Sequence, residues 1–240
     1  GQNVNSYGKD LKSDITFAKL LESVANLGIP RLRFLTSHPF DFSDSIIEVM
    51  RRHDNIMKYF HLPVQSGNDQ ILKAMGRRYT REKYLEIVSK LRTQIPEIAI
   101  STDIIVGFPN ETESQFADTV TLVKEARYES AFTFIYSPRP GTPAARLVDN
   151  VDKKEKSARF KVLTQALEET IAASSKAMVN KTYTVLVDGW SKKDKQVLSG
   201  YSESNKLIHF KGDESLIGKI VRVRVLESHV YSLMGELVND

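Results

Sequence analysis

The chain has 240 residues, 41% hydrophobic and 27% charged, a composition typical of a globular protein with one large domain or two unequal ones. It contains no cysteine, which excludes disulfides, a thiolate nucleophile and any thiolate ligand for a metal or iron–sulfur cluster within these residues. The net charge of +4 tolerates a polyanionic partner without requiring one. With no bilayer-length apolar run and no signal peptide, we expect a cytoplasmic protein without a membrane segment.

Helices and strands alternate in the first part of the chain. A helix is expected from Asp14, and a strand at residues 31–37. Ser45 is expected to cap a short second helix, and a further strand covers residues 58–65. About four such alternations before residue 140 predict an α/β fold with a parallel sheet or an open barrel.

Residues 99–112 (AISTDIIVGFPNET) form the stretch around which the rest is organised. An apolar run rich in β-branched side chains predicts a buried strand, which Gly107 and Pro109 end. Thr112 and Gln115 then form a capping box that starts a helix. Ligands bind at the carboxyl ends of such strands, and Gly107 would let one approach the backbone. The alternative is a βα turn without a ligand.

Other predicted strands also end in polar residues. The sets are Thr36-Ser37-His38, Gln65-Ser66, Asp103 with Gly107, and Tyr136 to Arg139. In a βα barrel these positions converge on one face, where they could line a pocket. Arg139, held between two prolines, suits gripping a phosphate or stacking on a base, although a structural salt bridge is an equal alternative.

The pattern of predicted secondary structure changes after residue 140. A long helix is predicted over residues 152–178. Alternation with period two then predicts five short strands, at residues 182–188, 196–201, 206–211, 219–227 and 231–238. These features predict a partial α/β barrel at 1–150, a connecting helix at 151–179 and a small five-stranded OB-like barrel at 180–240.

A lysine-rich hairpin is predicted between the first two strands of the small barrel. Lys192, Lys193 and Lys195, with Lys206 and Lys211 on a nearby strand, could contact phosphates. The alternative is a solvated hairpin tip, because acidic residues nearly balance the basic ones in this part of the chain.

Long motifs in this order resemble the radical-SAM tRNA methylthiotransferases of the MiaB type. The matching segments are GQNVNSYG at 1–8, RFLTSHPFD at 33–41, HLPVQSGN at 61–68, LKAMGRRYT at 72–80, DIIVGFPNETESQ at 103–115 and AFTFIYSPRPGTPAA at 131–145. The small barrel, with VLVDGWSKKD at 185–194 and GYSESNK at 200–206, resembles the TRAM domain of the same enzymes. The resemblance covers nearly the whole chain.

The resemblance implies a defined chemistry. Such enzymes carry two [4Fe-4S] clusters, one of which binds S-adenosylmethionine on a CxxxCxxC loop and cleaves it to a 5′-deoxyadenosyl radical. The radical acts at C2 of N6-isopentenyladenosine beside the tRNA anticodon, and the second cluster delivers the methylthio group. This chain departs from the pattern because it has no cysteine. We therefore expect a fragment without either cluster, inactive alone, with no metal ligand and no catalytic residue of its own.

The resemblance also assigns residues. The S-adenosylmethionine wall would consist of Gln2, Asn3, Ser37, Gln65, Ser66, Asp103, Ile105, Gly107 and Phe108. Tyr136 and Arg139 would face the adenine, and Lys192, Lys193 and Lys195 would touch phosphates of the tRNA anticodon stem-loop. An electron donor protein is implied as a partner, and a monomer is expected.

Three alternatives stay open at this point. The chain could be a non-catalytic RNA-binding protein that uses only the small barrel, or an ordinary cluster-free barrel enzyme with a phosphate ligand. It could also belong to the related branch that modifies a ribosomal protein, although that branch usually has an acidic residue where Arg139 stands.

Overall fold

A computed structural model describes residues 2–11, 14–192 and 194–238. Its helices are α1 (Phe17–Ala25), α2 (Asp44–Arg52), α3 (Asp69–Ala74), α4 (Arg81–Gln94), α5 (Glu113–Ala126) and α6 (Lys153–Ala177). Its strands are β1 (Tyr59–His61), β2 (Ala99–Val106), β3 (Ser130–Ile135), β4 (Thr182–Trp190), β5 (Leu198–Ser202), β6 (Leu207–Phe210), β7 (Ile220–Ser228) and β8 (Ser232–Leu237). None of the helices in these ranges has both the length and the apolarity needed to cross a bilayer.

The first part of the chain is built on a parallel sheet in the order β1-β2-β3. One face of β2 packs into a large hydrophobic core, which includes Ile100, Ile104 and side chains from all the long helices. Thr112 and Gln115 form the expected capping box at the start of α5. The predicted α/β fold is therefore confirmed, and all three strands end at the same edge of the sheet.

Two local predictions in this part were wrong. Residues 31–37 do not form a strand: Leu32 makes a single bridge with Ile56, and Thr36 takes a left-handed backbone, which ends extended pairing. The helix cap predicted at Ser45 lies at Ser43, whose hydroxyl accepts a hydrogen bond from the Ser45 N–H.

The second part is a closed five-stranded barrel in the order β4-β5-β6-β8-β7. Alternate residues of its strands fill a separate core around Val185, Phe210 and Val223, as the period-two pattern predicts. The barrel attaches near the amino ends of the first sheet. Arg31 donates to the carbonyls of Tyr201 (2.6 Å) and Thr184 (3.2 Å).

Candidate functional site

Three extended segments in the first part of the chain end in the same unusual backbone conformation. Thr36, Gln65 and Gly107, which close three successive extended segments, have φ values of 64°, 70° and 69°. For a residue with a Cβ this left-handed region costs about 1–2 kcal/mol, and such strain collects at functional sites. Gln65 is held beside β2 because its N–H donates to the Asp103 carbonyl (2.8 Å) and its carbonyl accepts from the Ile105 N–H (2.9 Å). We call Ser37, Gln65, Gly107 and Tyr136 the carboxyl edge.

A buried ion pair fixes the turn at Gly107. Glu111 Oε2 accepts from the Gly107 N–H (2.8 Å) and from Arg159 Nη1 (2.9 Å) on α6. The side chains of Glu111 and Arg159 are only 1% and 3% exposed. Burial raises the pKa of Glu111, although the Gly107 N–H and the Arg159 guanidinium oppose that shift. The turn after β2 is therefore anchored to the first turns of α6.

The space beside Gly107 is filled by the side chain of Lys156. A Cβ at Gly107 would lie 2.4 Å from Lys156 Cγ, so packing against α6 already explains the glycine. Lys156 Nζ pairs with Asp149 (2.5 Å) and lies 5.4 Å from the centre of the Tyr136 ring, which contacts Phe108 edge-on. The approach of a cofactor to the Gly107 backbone stays a prediction.

The N-terminal segment completes the carboxyl edge. The Val4 N–H donates to the Thr36 carbonyl (3.0 Å), and Asn3 donates its side-chain amide to Asp41. Asn3 Oδ1 and Ser37 Oγ are buried, and neither has a hydrogen-bond partner within the part of the chain that the structure describes. Orphaned buried oxygens are costly and call for a partner, so these residues fit a polar cofactor such as S-adenosylmethionine.

The uncovered face of the sheet carries polar and aromatic side chains together. Asp103 lies opposite Phe132 in the β2–β3 register, and Ile105 lies opposite Phe134. The two phenylalanines are 59% and 51% exposed, which is unusual for side chains on a parallel sheet. We call His61, Asp103, Ile105, Phe132 and Phe134 the open face.

His61 is oriented on this face by a chain of hydroxyl groups. His61 Nδ1 lies 2.8 Å from Ser101 Oγ, which donates to the Tyr59 hydroxyl (2.6 Å). His61 Nε2 lies 3.6 Å from Asp103 Oδ1, and its ring meets Phe132 edge-on. Neither His61 nor Phe132 was assigned to a site from the sequence alone. The period-two pattern of residues 130–136 would have placed Phe132 and Phe134 on the same face of their strand.

The predicted site residues divide by location. Asn3 and Ser37 come together, as do Gln65 with Asp103 and Ile105, and Gly107 with Phe108 and Tyr136. Gln2 is exposed next to Asn3. Ser66 is fully buried and lies 3.4 Å from the Thr119 hydroxyl.

The two residues predicted to face the adenine have different surroundings. The Tyr136 hydroxyl donates to the Ala144 carbonyl (3.0 Å), and Arg139 is exposed, with no ion pair among the described residues. The roles of both residues stay predictions.

The lysine hairpin lies at the end of the small barrel away from the first sheet. It joins the end of β4 to the start of β5, whereas Arg31, in the first part of the chain, contacts Thr184 near the start of β4. Lys192 and Lys195 are exposed, and Lys193 lies outside the described residues. The expectation that Lys206 shares this surface was wrong. Lys206 is 8% exposed at the opposite end of the barrel, because the turn between β5 and β6 packs against the first part of the chain, where Arg33 donates to Asn205 Oδ1 (2.7 Å).

Comparison with known families defines the class of protein. The sequence profile of the radical SAM superfamily matches residues 2–123, and that of the TRAM domain matches residues 176–238. The chain therefore belongs to the radical SAM superfamily. Coproporphyrinogen III oxidase (HemN) from Escherichia coli, a radical SAM enzyme, has the same fold over 78% of this chain and 51% of its own, with a TM-score of 0.53 and 13% identity.

Within that superfamily, the chain is similar over its whole length to enzymes named tRNA-2-methylthio-N(6)-dimethylallyladenosine synthase. It is 52% identical to the one from Alkaliphilus oremlandii and 50% identical to the one from Geobacillus kaustophilus, and it is covered completely in both comparisons. It covers 51% and 45% of those relatives, so the chain spans about half the length of the curated relatives it matches.

Proposed function

We propose that this chain is part of a tRNA methylthiotransferase that adds a methylthio group to C2 of N6-isopentenyladenosine beside the anticodon. The observation that carries the proposal is about 50% identity along the whole chain to enzymes named for that product. S-adenosylmethionine and [4Fe-4S] clusters supply the radical and the sulfur chemistry in such enzymes. The thiolate ligands cannot come from these 240 residues, which contain no cysteine.

The carboxyl edge is the proposed cofactor wall. Ser37 and Asn3 offer buried oxygens that have no hydrogen-bond partner among the described residues, and these would accept hydrogen bonds from the amino or hydroxyl groups of S-adenosylmethionine. The strained backbone at Gln65 keeps that residue against β2, next to Asp103. The Glu111–Arg159 pair keeps the adjoining turn rigid, so that bound groups meet a preorganised surface.

The open face is the proposed seat of the adenine. RNA bases that leave their stack are held by aromatic rings and read by hydrogen bonds to their edges. Phe132 and Phe134 supply exposed rings, and Asp103 with the oriented His61 supplies polar groups beside them. This arrangement adds to the predicted contribution of Tyr136 and Arg139.

RNA is the proposed macromolecular partner, with the anticodon stem-loop contacted by Lys192, Lys193 and Lys195. The TRAM match and the names of the relatives support this assignment. An electron donor protein, a monomeric state, a cytoplasmic location and the domain limits 1–150, 151–179 and 180–240 belong to the same proposal.

A chimera tests the function. The matched segment of the Alkaliphilus oremlandii relative is replaced by this chain, and the chimera is expressed in cells that lack their own tRNA methylthiotransferase. Mass spectrometry of tRNA nucleosides should then detect the 2-methylthio derivative of N6-isopentenyladenosine. A chimera that folds and binds its iron but makes none of this nucleoside would contradict the proposed function.

Two variants of the chimera test the adenine seat. Phe132→Leu should lower the amount of product, because it removes an exposed ring from the open face. Tyr231→Leu removes an aromatic side chain of similar exposure (60%) from the barrel and should leave the product unchanged. Equal product from both variants would argue against the open face as the place where the base binds.

A further inference from the structure

A cleft of about 340 Å³ lies between the first sheet and the small barrel. Its walls come from the amino ends of β2 and β3, the end of α4, the end of α6 and the turn before β6. The lining includes four cationic side chains, from Arg92, Arg127, Lys181 and Lys206. None of the residues assigned to the cofactor wall or to the lysine hairpin lines this cleft.

The charges in the cleft do not balance. Arg92 pairs with Glu129 (3.2 Å), and Lys181 pairs with Glu97 (2.9 Å). Within the described ranges, Arg127 and Lys206 have no carboxylate at ion-pairing distance. Two of the four cations in the cleft therefore lack a carboxylate partner among the described residues, which favours binding of an anion there.

Lys206 is the most confined of these cations. The residue is 8% exposed, and within the described part of the chain its ammonium group donates to a single acceptor, the Val230 carbonyl (3.2 Å). An ammonium group has three donors, so two of them stay available for a ligand in the cleft that Lys206 lines. Burial lowers the pKa of Lys206 to about 8, although Glu129 opposes the shift. An anion in the cleft would relieve this cost.

The neighbouring groups suit an oxyanion. Arg92 Nε is buried and has no hydrogen-bond partner among the described residues. The Arg127 guanidinium makes no hydrogen bond or ion pair with any described residue, and Arg127 follows α5 with a left-handed backbone (φ 50°). Guanidinium and ammonium groups together are the usual ligands of phosphate oxygens.

We propose that this cleft binds a phosphate group, and that the phosphate belongs to the backbone of RNA. The RNA source rests on the proposed function, whereas the phosphate chemistry rests on the cleft alone. One wall of the cleft, with Tyr183, Ser204 and Lys206, belongs to the barrel that matches the TRAM domain, which is the RNA-contacting part in the proposed function. Backbone phosphates fix the position of an RNA without reading its sequence.

Two variants of the 240-residue chain test the site. Arg127→Gly removes the guanidinium at a position whose φ of 50° suits glycine, so the fold should be kept. Lys206→Gln removes the charge and keeps a donor for the Val230 carbonyl. Lys124→Gln is the matched control, because it removes one positive charge from an exposed position of the same helix α5 outside the cleft. Circular dichroism checks that all three variants are folded.

The first probe is a tRNA anticodon stem-loop, whose affinity is measured by fluorescence anisotropy over a range of salt. Arg127→Gly and Lys206→Gln should each weaken binding by about three- to tenfold and reduce the salt slope by roughly 0.7–0.9, as expected for one lost phosphate contact. Lys124→Gln should behave like the unmodified chain. Unchanged affinity and slope in both cleft variants would overturn the proposal.

The second probe is inorganic phosphate, titrated while nuclear magnetic resonance follows the amides of the cleft. Shifts at Arg127 and Lys206 that disappear in the variants support a phosphate site. Such shifts without any change in RNA binding would overturn the RNA source. Failure of the chimera to modify tRNA, with intact cleft results, would instead count against the proposed function.

Discussion

Replacement of Arg159 by alanine is expected to be strongly destabilising. Arg159 gives Glu111 two hydrogen bonds of 2.9 Å, one to its carbonyl and one to Oε2. Without them, the carboxylate would keep only the Gly107 N–H, since Oε1 already has no partner among the described residues. Removing one partner of a buried pair costs about 3–5 kcal/mol, a large share of the 5–15 kcal/mol that typically stabilises a domain.

The assay is urea unfolding followed by two signals. Far-ultraviolet circular dichroism reports the helices of the first part of the chain, and the fluorescence of Trp190, the single tryptophan, reports the small barrel. The dichroism transition of Arg159→Ala should move to much lower urea, and the fluorescence transition should move less. Adding Glu111→Gln to Arg159→Ala should recover part of the loss, because no buried charge is then left alone.

The pKa shift of Glu111 predicts how the stability loss of Arg159→Ala changes with pH. Burial raises the pKa of Glu111 above its ordinary value of 4.5, so folding favours the protonated carboxyl group, and stability falls as the pH rises from 4.5 to the folded value. Loss of Arg159 would raise that pKa further, so the destabilisation should be larger at pH 7 than at pH 4. A loss below about 1 kcal/mol at pH 7, or no recovery in the double variant, would refute the reasoning.

Three further variants test other contacts. Gly107→Ala should cost about 1–3 kcal/mol more than Gly141→Ala, because both glycines have a left-handed backbone but only Gly107 faces the lysine stem of α6; equal losses in urea unfolding would contradict this. Lys192→Ala combined with Lys195→Ala should weaken binding of the anticodon stem-loop and lower its salt slope by about 1.5. The control, Lys153→Ala combined with Lys154→Ala at the exposed start of α6, should leave affinity and salt slope unchanged. Burial lowers the pKa of Lys206 to about 8, so stability should rise by roughly 2 kcal/mol from about pH 8 to about pH 10, and Lys206→Met should lack that rise.

Features set by local sequence could be predicted well. The capping box of Thr112 and Gln115 involves neighbouring residues, and the alternation in the small barrel follows from the strand itself. The strand predicted at residues 31–37 was wrong because an apolar pattern indicates only that a segment is buried. A strand also needs hydrogen-bonded partners along its length. In this segment Leu32 forms one β-bridge, with Ile56, and the left-handed backbone of Thr36 ends the extended conformation.

Contacts between distant segments account for what sequence reasoning missed in the site. Nothing near Gly107 in the sequence shows that Lys156 fills the adjacent space, and nothing near Lys206 shows that this lysine is buried in the cleft that Glu129 also lines. The exposed rings of the open face depend on the register between β2 and β3, which strand assignment alone does not fix.

Hydrogen exchange on the chimera tests most directly whether one site forms at the carboxyl edge. Mass spectrometry compares deuterium uptake with and without S-adenosylmethionine. Slower exchange should appear together at residues 36–38, 64–68 and 103–108, with none at the lysine hairpin, because three separate segments form one surface. Protection confined to other parts of the chain would show that these strand ends do not act together.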